Sequence, residues 1–439
     1  MAKNVLNEFD SFYFVGIGGV SMSALAKLLL GMGKKIGGYD RAEGEYVDEL
    51  RKMGVCVTVG TFAEMEDYSA VVYTDALSES NAALISARRM NKRLISRGKL
   101  LQSVSMLYKT TVAVAGCHGK TTCTSMIAHI FAAAGLAFSS HIGGSDLTFT
   151  NGYSCGNDYF VTEACEYKKN FLYLKPDLAV ILNTDTDHLD CYGTEQALDD
   201  AYRQFADGAG EVIKLFGDLD GKSGVTFGFD DRAYYYAKKI KNVNGKYSFT
   251  VFEYGKELVK VSLSVYGKHN VLNALAAIAV ARKLGIDGQK IAEGLAQFKG
   301  VRRRFEMIGH FNGAECIADY AHHPNELRAA LKTAKLLTDG NVYVIFQPHT
   351  YSRTKSFFKQ FVLVLSQVKK MLIFKTYAAR EYYDDAGSAL TLSKAVKRSV
   401  YGDCETDISN FLAEAREGDI VLFLGAGDIY EIAKSIVEN

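Results

Sequence analysis

A glycine loop near the middle of the chain carries the residue types best suited to chemistry. The sequence predicts an apolar strand at residues 111–115, the turn Gly116-Cys-His-Gly119-Lys120-Thr121-Thr122, and an apolar helix beginning near Thr122. Backbone N–H groups of such a loop, together with the helix N-terminus, can surround phosphate oxygens. Lys120 is then placed to bridge the β and γ phosphates of a nucleotide, and the Thr121 hydroxyl to hold Mg²⁺. The pattern therefore predicts ATP-type phosphate binding by Gly116, Gly119, Lys120, Thr121 and Thr122.

The loop departs from the usual G-x-x-x-x-G-K-[ST] spacing, because Val114 occupies the first glycine position. A plain strand-to-helix turn with a surface lysine is the alternative. The agreement between the strand, the loop, the Gly-Lys-Thr sequence and the helix favours the phosphate site.

Glu163 and His188 are candidates for a metal site beside this loop. Glu163 ends a predicted strand at residues 159–163, and His188 follows another at residues 178–183. The carboxyl ends of parallel strands meet at one edge of an α/β sheet, where ligands usually bind. Mg²⁺ prefers oxygen ligands, so the imidazole is the less expected member of the site. Without a metal, Glu163 is a solvated strand end and His188 a hydrogen-bonded loop residue.

Three further motifs have residue types that suit a nucleotide. The segment Gly267-Lys-His269-Asn270-Val-Leu-Asn273 opens a helix, so Asn270 and Asn273 share one face; the alternative is that Asn270 caps the helix. The run Arg302-Arg303-Arg304-Phe305 has the charge to engage phosphate, although a basic triplet is usually a solvated face. The motif Asp319-Tyr320-Ala-His322-His323-Pro324 adds a carboxylate and two imidazoles.

A second glycine loop lies near the start of the sequence. A strand at residues 12–15 leads into Gly16-Ile-Gly18-Gly19-Val-Ser21, a helix follows at residues 21–30, and the next strand ends at Asp40. The pattern is a dinucleotide fingerprint in which Ser21 replaces the third glycine, and it indicates NAD only weakly. Asp40 either contacts a ribose hydroxyl or acts as a turn residue.

The elements that must position these residues alternate between strand and helix, which predicts an α/β fold with mostly parallel sheets. A chain of 439 residues suggests about three domains. A content of 48% apolar and 23% charged residues is typical of a soluble globular protein. The formal charge of +1 provides no field for nucleic acid or an anionic membrane. No signal peptide or bilayer-spanning run is found, so we expect a cytoplasmic protein. Eight scattered cysteines without a C-x-x-C pair indicate reduced thiols.

The loop with His118 before Gly-Lys resembles that of the Mur ligase superfamily, and the motifs above follow in the order of that family through nearly the whole chain. The resemblance implies a Rossmann-like UDP-substrate domain at residues 1–108 and a central P-loop ATPase-type α/β domain at residues 109–299. It implies a third, Rossmann-like domain at residues 300–439, which binds the amino acid and contributes to the ATP site. Cys117 stands where the family usually has threonine, and Ala321 where it has glycine.

The same resemblance implies a role for each candidate residue. Besides the phosphate loop, the residues implied to contact ATP are His269, Asn270, Asn273, Arg304 and Asp319. The residues implied to hold Mg²⁺ are Thr121, Glu163 and His188. The UDP substrate is implied to lie against Gly16, Gly18, Gly19, Ser21 and Asp40. The amino acid is implied to contact Tyr320, His322 and His349. The implied catalytic residues are Lys120, Arg304 and His322.

Several features resemble the alanine-adding subfamily. Several members of the superfamily carry a carbamylated lysine about fourteen residues after the histidine that corresponds to His188, whereas residues 199–204 contain no lysine. The motif Phe346-Gln-Pro-His349-Thr-Tyr-Ser-Arg353 is also similar to that subfamily. The implied function is ATP-dependent ligation of L-alanine to UDP-N-acetylmuramate through an acyl phosphate, in peptidoglycan precursor synthesis. The implied enzyme is a monomer or homodimer that neither binds nucleic acid nor inserts into a membrane.

Other functions stay open at this point. A ligase that attaches a whole peptide to the same UDP-sugar has similar motifs, whereas a folylpolyglutamate synthase does not need the opening loop. A non-catalytic, nucleotide-binding regulatory homologue is a further alternative, and the presence of Lys120, Glu163, His188 and Arg304 argues against it. An NAD oxidoreductase would explain the opening loop and none of the later motifs.

Overall fold

The computed structural model describes residues 4–62, 65–75, 77–185 and 189–437, and its strands and helices alternate along the chain. The strands are β1 (Ser11–Val15), β2 (Lys35–Asp40), β3 (Cys56–Val59), β4 (Ala70–Tyr73), β5 (Arg93–Ser96), β6 (Thr110–Ala115), β7 (Phe138–Asp146), β8 (Thr150–Ser154), β9 (Tyr159–Glu163), β10 (Leu178–Ile181), β11 (Glu211–Leu215), β12 (Val225–Gly228), β13 (Tyr235–Val243), β14 (Lys246–Glu253), β15 (Lys256–Tyr266), β16 (Glu306–Phe311), β17 (Ala314–Asp319), β18 (Val342–Phe346), β19 (Lys370–Phe374), β20 (Ser399–Gly402) and β21 (Ile420–Leu424).

The helices lie between these strands. The α-helices are α1 (Val20–Gly31), α2 (Glu45–Lys52), α3 (Ala82–Arg89), α4 (Arg97–Ser105), α5 (Lys120–Ala133), α6 (Leu189–Tyr192), α7 (Glu195–Asp207), α8 (His269–Lys283), α9 (Gly288–Gln297), α10 (Pro324–Ala334), α11 (Tyr351–Ser356), α12 (Phe358–Leu365), α13 (Ala389–Ala395), α14 (Glu405–Phe411) and α15 (Ile429–Ile436). Short 3₁₀ segments lie at Val5–Asn7, Tyr167–Tyr173 and Asp385–Gly387. α5 begins earlier than predicted because Gly119, in the left-handed region at φ +86°, is its N-cap.

The first sheet has the strand order β3-β2-β1-β4-β5, and its strands are parallel. The central strand β1 is buried along its whole length. Phe12 and Phe14 belong to one apolar cluster, whereas Tyr13 and Val15 belong to another. Because successive side chains of a strand point to opposite faces, this sheet is covered on both sides, as parallel sheets require.

The second sheet has the order β15-β14-β13-β12-β11-β10-β6-β9-β7-β8. Its strands are parallel from β13 to β7, and β8 pairs antiparallel with β7. The strand β6 lies inside the sheet, so the loop that follows it emerges between the ends of β9 and β10. One apolar cluster includes Phe14 of the first sheet and Ala113 of the second, and it joins the two sheets into one core.

The third sheet has the order β16-β17-β21-β18-β19-β20, with an antiparallel β16 at the edge and parallel strands elsewhere. Val344 and Phe346 pack in a cluster on one face, and Tyr343 and Ile345 in a cluster on the other. The carboxyl ends of β17, β21 and β18 are level, since Asp319 and Phe346 both pair with Leu424. Ligand sites of α/β sheets form beyond such strand ends.

The chain divides into two compact units. The first contains Met1–Ile240, Phe249–Ser262 and Leu272–Lys299, and the second contains Lys241–Ser248, Leu263–Val271 and Gly300–Asn439. The predicted α/β fold with parallel, Rossmann-like sheets is confirmed. The predicted domain boundaries at residues 108/109 and 299/300 stay predictions. Among the described residues, no helix has both the length and the apolar character needed to cross a membrane.

Candidate active site

The phosphate loop has the backbone that its glycines predict. Gly116 and Gly119 adopt φ values of +134° and +86°, which L-residues with a side chain rarely reach. A Cβ atom on Gly119 would lie 2.4 Å from the Oδ1 atom of Asn273, so this asparagine packs directly against the loop. The predicted residues Gly116, Gly119 and Asn273 are therefore brought together, and α5 places Lys120, Thr121 and Thr122 in its first turn.

Lys120 lies within the base of the loop. Its Nζ atom donates to the Gly116 carbonyl oxygen at 2.5 Å and to both carboxylate oxygens of Glu166 at 2.9 Å. Burial lowers the pKa of Lys120, but the buried Glu166 carboxylate outweighs this effect, so the net pKa is raised and the amine is cationic. Sequence reasoning missed Glu166 as a functional residue, although it stands three positions after Glu163 in the same motif.

Glu163 is the last residue of β9 and is paired in register with Val114, just before the phosphate loop. Its Oε1 atom accepts a hydrogen bond from the backbone N–H of Gly143 at 2.5 Å. Glu163 and Thr121 thus place side-chain oxygen atoms on the neighbouring elements β9 and α5, and their role as Mg²⁺ ligands stays a prediction. His188, predicted as the third ligand, lies outside the described residues.

Side chains beyond the motif hold the rest of the loop. Asn183 accepts from the backbone N–H of His118 at 3.1 Å and donates to the His118 carbonyl oxygen at 2.9 Å. The Cys117 thiol donates to the carbonyl oxygen of Asp185 and lies 3.6 Å from the hydroxyl oxygen of Tyr202. The Cys117 side chain thus lies between the Asp185 backbone and the Tyr202 hydroxyl. These contacts involve distant residues, and the sequence motif gave no signal for them.

The opening glycine loop also forms as predicted. Gly16 adopts φ +84°, and its backbone N–H donates to the Tyr39 carbonyl oxygen at 2.8 Å. The Oδ2 atom of Asp40 accepts from the Gly18 N–H at 2.7 Å, while its Oδ1 atom accepts from the Arg41 N–H at 2.7 Å. Asp40 therefore holds the loop as a turn residue, and its contact with a ribose stays a prediction. Gly19 caps α1, and Ser21 lies in the first turn of that helix.

In the second unit, Asp319 ends β17 and holds the backbone on either side of the β16–β17 hairpin. Its two oxygens accept from the backbone N–H groups of Phe305, at 2.9 Å, and Ala321, at 2.7 Å. Burial raises the pKa of Asp319 to about 6, although Arg304 and these N–H groups oppose the shift. The guanidinium carbon of Arg304 lies 4.9 Å from the ring centre of Tyr320. The structure therefore brings Arg304, Asp319 and Tyr320 together.

Arg303 precedes Arg304 in the basic run, and its side chain contacts the backbone of the second unit. Its guanidinium donates to the carbonyl oxygens of Gly427, at 2.8 Å, and Gly425, at 3.3 Å. It also lies 4.8 Å from the ring centre of Tyr320 and 5.2 Å from that of Tyr430. Arg303 therefore joins the glycine turn after β21 to the segment that precedes β16.

The predicted amino-acid residues form one aromatic group. The ring of His322 lies 5.3 Å from that of Tyr320 and 5.9 Å from that of His349, between centres. The Nδ1 atom of His322 lies 2.9 Å from the Tyr320 carbonyl oxygen, which fixes the ring. Burial, followed by the nearby His322 and Arg353, lowers the pKa of His349 to about 3, so this imidazole is neutral at pH 7.

The helix α8 begins at His269, so the predicted His-Asn motif opens a helix. The side-chain amide of Asn270 donates to the Tyr266 carbonyl oxygen at 2.6 Å. Asn270 is the second residue of α8 and its amide donates in this bond, whereas a cap would accept from a backbone N–H, so the capping alternative is not decided by it. Asn273 belongs with the phosphate loop described above. ATP contacts of His269 and Asn270 stay predictions.

Comparison with known proteins agrees with these features. Family models match residues 11–109 (Mur ligase family, catalytic domain), 114–281 (Mur ligase middle domain) and 303–427 (Mur ligase, glutamate ligase domain). The chain is 40% identical to a UDP-N-acetylmuramate–L-alanine ligase of Clostridium acetobutylicum and 37% identical to that of Clostridium beijerinckii, with 100% of each chain covered.

Solved structures give the same result. A UDP-N-acetylmuramate-alanine ligase from Thermotoga maritima superposes with a TM-score of 0.83 at 29% identity, covering 97% of this chain and 98% of that one. A murein peptide ligase from Psychrobacter arcticus shares the fold, with a TM-score of 0.75 at 22% identity over 98% of this chain and 100% of that one. The 37% and 40% identity to the clostridial ligases extends over the full length of the chain. Together with the two glycine loops described above, it shows that this chain belongs to the Mur ligase family.

Proposed function

We propose that this protein is an ATP-dependent ligase that joins L-alanine to UDP-N-acetylmuramate and releases ADP and phosphate, in peptidoglycan precursor synthesis. The observation that carries the proposal is the phosphate loop with Lys120 at its base and Glu163 beside it. Relatives that match the whole chain bear this activity in their names. We assign the UDP-substrate to residues 1–108, ATP to residues 109–299, and the amino acid to residues 300–439, with a contribution of the last to the ATP site.

The chemical task is to activate a carboxylate, which is a poor electrophile. Transfer of the γ-phosphoryl group of ATP gives an acyl phosphate, whose phosphate is a good leaving group. The amino group of L-alanine then attacks, and the tetrahedral intermediate collapses to the amide with loss of phosphate. Such phosphoryl transfer depends on positioning and on neutralisation of charge. Lys120 is a cation in the loop whose side chain is 15% exposed, and it suits this role, while Arg304 supplies a second cation.

Thr121, Glu163 and His188 are the residues that we propose to hold Mg²⁺. Thr121 and Glu163 fit the ion through their oxygen donors, and Gly143 orients one oxygen of Glu163. When bound, Mg²⁺ would neutralise charge on the phosphate oxygens. Gly116, Gly119, Lys120, Thr121 and Thr122 would surround the phosphates, and His269, Asn270, Asn273, Arg304 and Asp319 would complete the nucleotide site.

The remaining assignments concern the residues proposed to bind the UDP-substrate and those proposed to bind the amino acid. Gly16, Gly18, Gly19 and Ser21 would lie against the UDP diphosphate, since they surround the N-terminus of α1, where anions are favoured. Tyr320, His322 and His349 would hold L-alanine. His349 is neutral at pH 7 and its low pKa makes it a weak base, so we assign acceptance of the ammonium proton to His322. We place the enzyme in the cytoplasm as a monomer or homodimer.

The test is a phosphate-release assay with ATP, Mg²⁺ and UDP-N-acetylmuramate. L-Alanine should give the highest rate in a panel of amino acids that also contains the cell-wall tripeptide, and Lys120→Ala should serve as the inactive control. A higher rate with the tripeptide would assign the protein to the peptide-recycling ligases. Hydride transfer to NAD without consumption of ATP would refute the proposed ligase activity.

A further inference from the structure

A chain of hydrogen bonds joins the opening glycine loop to the strand that ends at Glu163. The Ser21 hydroxyl oxygen lies 2.8 Å from Nε2 of His141, and Nδ1 of His141 lies 3.0 Å from the Thr162 hydroxyl oxygen. The Thr162 hydroxyl in turn donates to the carbonyl oxygen of Glu163 at 3.0 Å. His141 is 2% exposed and Thr162 is fully buried, so water does not compete for the bond between these two side chains.

The donor and the acceptor of each of these hydrogen bonds can be assigned. Because Thr162 gives its one hydroxyl hydrogen to the Glu163 carbonyl oxygen, its oxygen must accept from Nδ1–H of His141. Burial, followed by the charge of Arg97, lowers the pKa of His141 to about 3, so the ring is neutral and Nε2 is an acceptor. Nε2 therefore accepts from the Ser21 hydroxyl, whose oxygen can accept from Arg97 at 3.4 Å.

A second connection runs along the backbone of β7. His141 lies two residues before Gly143, whose N–H donates to the Oε1 atom of Glu163. A Cβ atom on Gly143 would approach the Glu163 carboxylate oxygens to 2.5 and 2.6 Å, so the carboxylate packs on this strand. His141 is thus connected to Glu163 by two routes, one through the Thr162 side chain and one through the backbone of Gly143.

We infer that His141 is a positioning residue that couples the loop of residues 16–21 to the strand end carrying Glu163. Occupancy of that loop by the UDP-sugar and occupancy of the Mg²⁺–ATP site then favour each other. The inference deepens the proposed function and rests on it. Since the Ser21 hydroxyl hydrogen is engaged by His141, Ser21 acts by fixing the loop, and donation to the diphosphate falls to backbone N–H groups.

Two substitutions separate the two nitrogen atoms of His141. His141→Asn keeps an amide near the Nδ1 position, so the Thr162 contact is retained while the acceptor for Ser21 is lost. His141→Gln places an amide oxygen near Nε2 and is the conservative control. Ser21→Ala removes the same bond from the other side. Because Ser21 and His141 share one bond, Ser21→Ala combined with His141→Asn should be non-additive.

The measurement is the Kd of UDP-N-acetylmuramate by titration calorimetry, with and without Mg²⁺ and a non-hydrolysable ATP analogue. In the wild type the analogue should tighten binding by about 5- to 150-fold, the usual range of coupling between sites. In His141→Asn and Ser21→Ala the two Kd values should agree within about twofold, and His141→Gln should recover part of the coupling. Thermal unfolding of each variant checks the fold.

The outcomes are distinct. Two outcomes would overturn the inference and leave the proposed function intact. In the first, the ATP analogue tightens UDP-N-acetylmuramate binding by the same factor in the wild type, His141→Asn and Ser21→Ala. In the second, the wild type binds UDP-N-acetylmuramate but the analogue does not change its Kd. Failure of the wild type to bind this compound at all would overturn both. If His141→Asn does not fold, Ser21→Ala decides the test, since position 21 is partly exposed and tolerates a smaller side chain.

Discussion

The ammonium group of Lys120 is bound by both carboxylate oxygens of Glu166, each at 2.9 Å. Glu166 is 1% exposed, so its charge has little access to water and depends on this partner. The pair fixes the lysine at the base of the phosphate loop and keeps it cationic. A residue that the loop motif does not contain thus sets the position and charge of the lysine that defines it.

Lys120→Ala should reduce ligation by about 10²- to 10³-fold or more, because a preorganised cation at the phosphates is lost. The same substitution removes the cation that lies beside the buried Glu166 carboxylate, which should cost about 3–5 kcal/mol of the free energy of unfolding. Urea denaturation and phosphate release measure the two effects. Adding Glu166→Gln to Lys120→Ala should restore much of the stability and none of the activity. Recovery of activity in the double variant would refute the role of Lys120.

Glu163→Gln should weaken the dependence of activity on Mg²⁺, because a charged oxygen ligand becomes neutral. We expect the Mg²⁺ concentration that gives the half-maximal rate to rise at least about tenfold. Removal of other groups around metal sites lowers metal affinity by a similar factor. The control is Glu257→Gln on an exposed strand, whose ion pair with Lys239 contributes little. An unchanged Mg²⁺ titration in Glu163→Gln would place the metal elsewhere.

Gly143→Ala should impair activity without unfolding the protein. The added Cβ overlaps the flexible Glu163 carboxylate, which must move away from its hydrogen bond with the Gly143 N–H. The rate should fall while the thermal midpoint changes little. Gly31→Ala is the matched control, since a Cβ there meets no atom within 4 Å, and alanine is favoured over glycine in a helix by about 1 kcal/mol.

The buried contact between His129 and Asp146 should make stability dependent on acid pH. Burial raises the pKa of Asp146, but hydrogen bonds from His129 and the Phe149 and Thr148 N–H groups outweigh it, so the net pKa is lowered. An aspartate with a lowered folded-state pKa contributes stability above its unfolded pKa of about 3.9, and the contribution disappears as the pH falls through the lower folded value.

Asp146→Asn should therefore cost about 1.5–3 kcal/mol at pH 7, the value of a hydrogen bond to a charged group. The difference from the wild type should narrow below about pH 4. Urea unfolding from pH 7 down to pH 3 measures this difference. A difference that stays constant across the range would show that ionisation of Asp146 does not contribute.

The choice of amino acid tests the assignment of Tyr320, His322 and His349 to L-alanine. Glycine and L-serine should react more slowly than L-alanine, but only by about 10- to 200-fold, because a small apolar difference is worth about 1–3 kcal/mol. Phosphate-release rates at saturating ATP and UDP-N-acetylmuramate measure the preference. Equal rates for all three would argue against a pocket that contacts the methyl group.

The local patterns were sufficient to predict the parts of the site that lie within one turn or one strand end. The loop of residues 116–122 and the end of β9 follow from glycine spacing and apolar runs. The Ser21–His141 contact joins residues far apart in the chain, and no spacing rule indicates it. Likewise, the order of Arg303 and Arg304 in sequence does not reveal that Arg303 turns toward Gly427.

The second compact unit is assembled from separate pieces of the chain, with consequences for dissecting the protein. It includes Lys241–Ser248 and Leu263–Val271 as well as the final 140 residues, Gly300–Asn439. The Tyr266 ring packs against Phe305 at 5.5 Å, and a Cβ on Gly245 would approach Leu337 to 2.7 Å. A fragment that starts at residue 300 would therefore expose apolar surface where these segments belong. Supplying residues 241–271 as a separate peptide should protect that fragment from limited proteolysis.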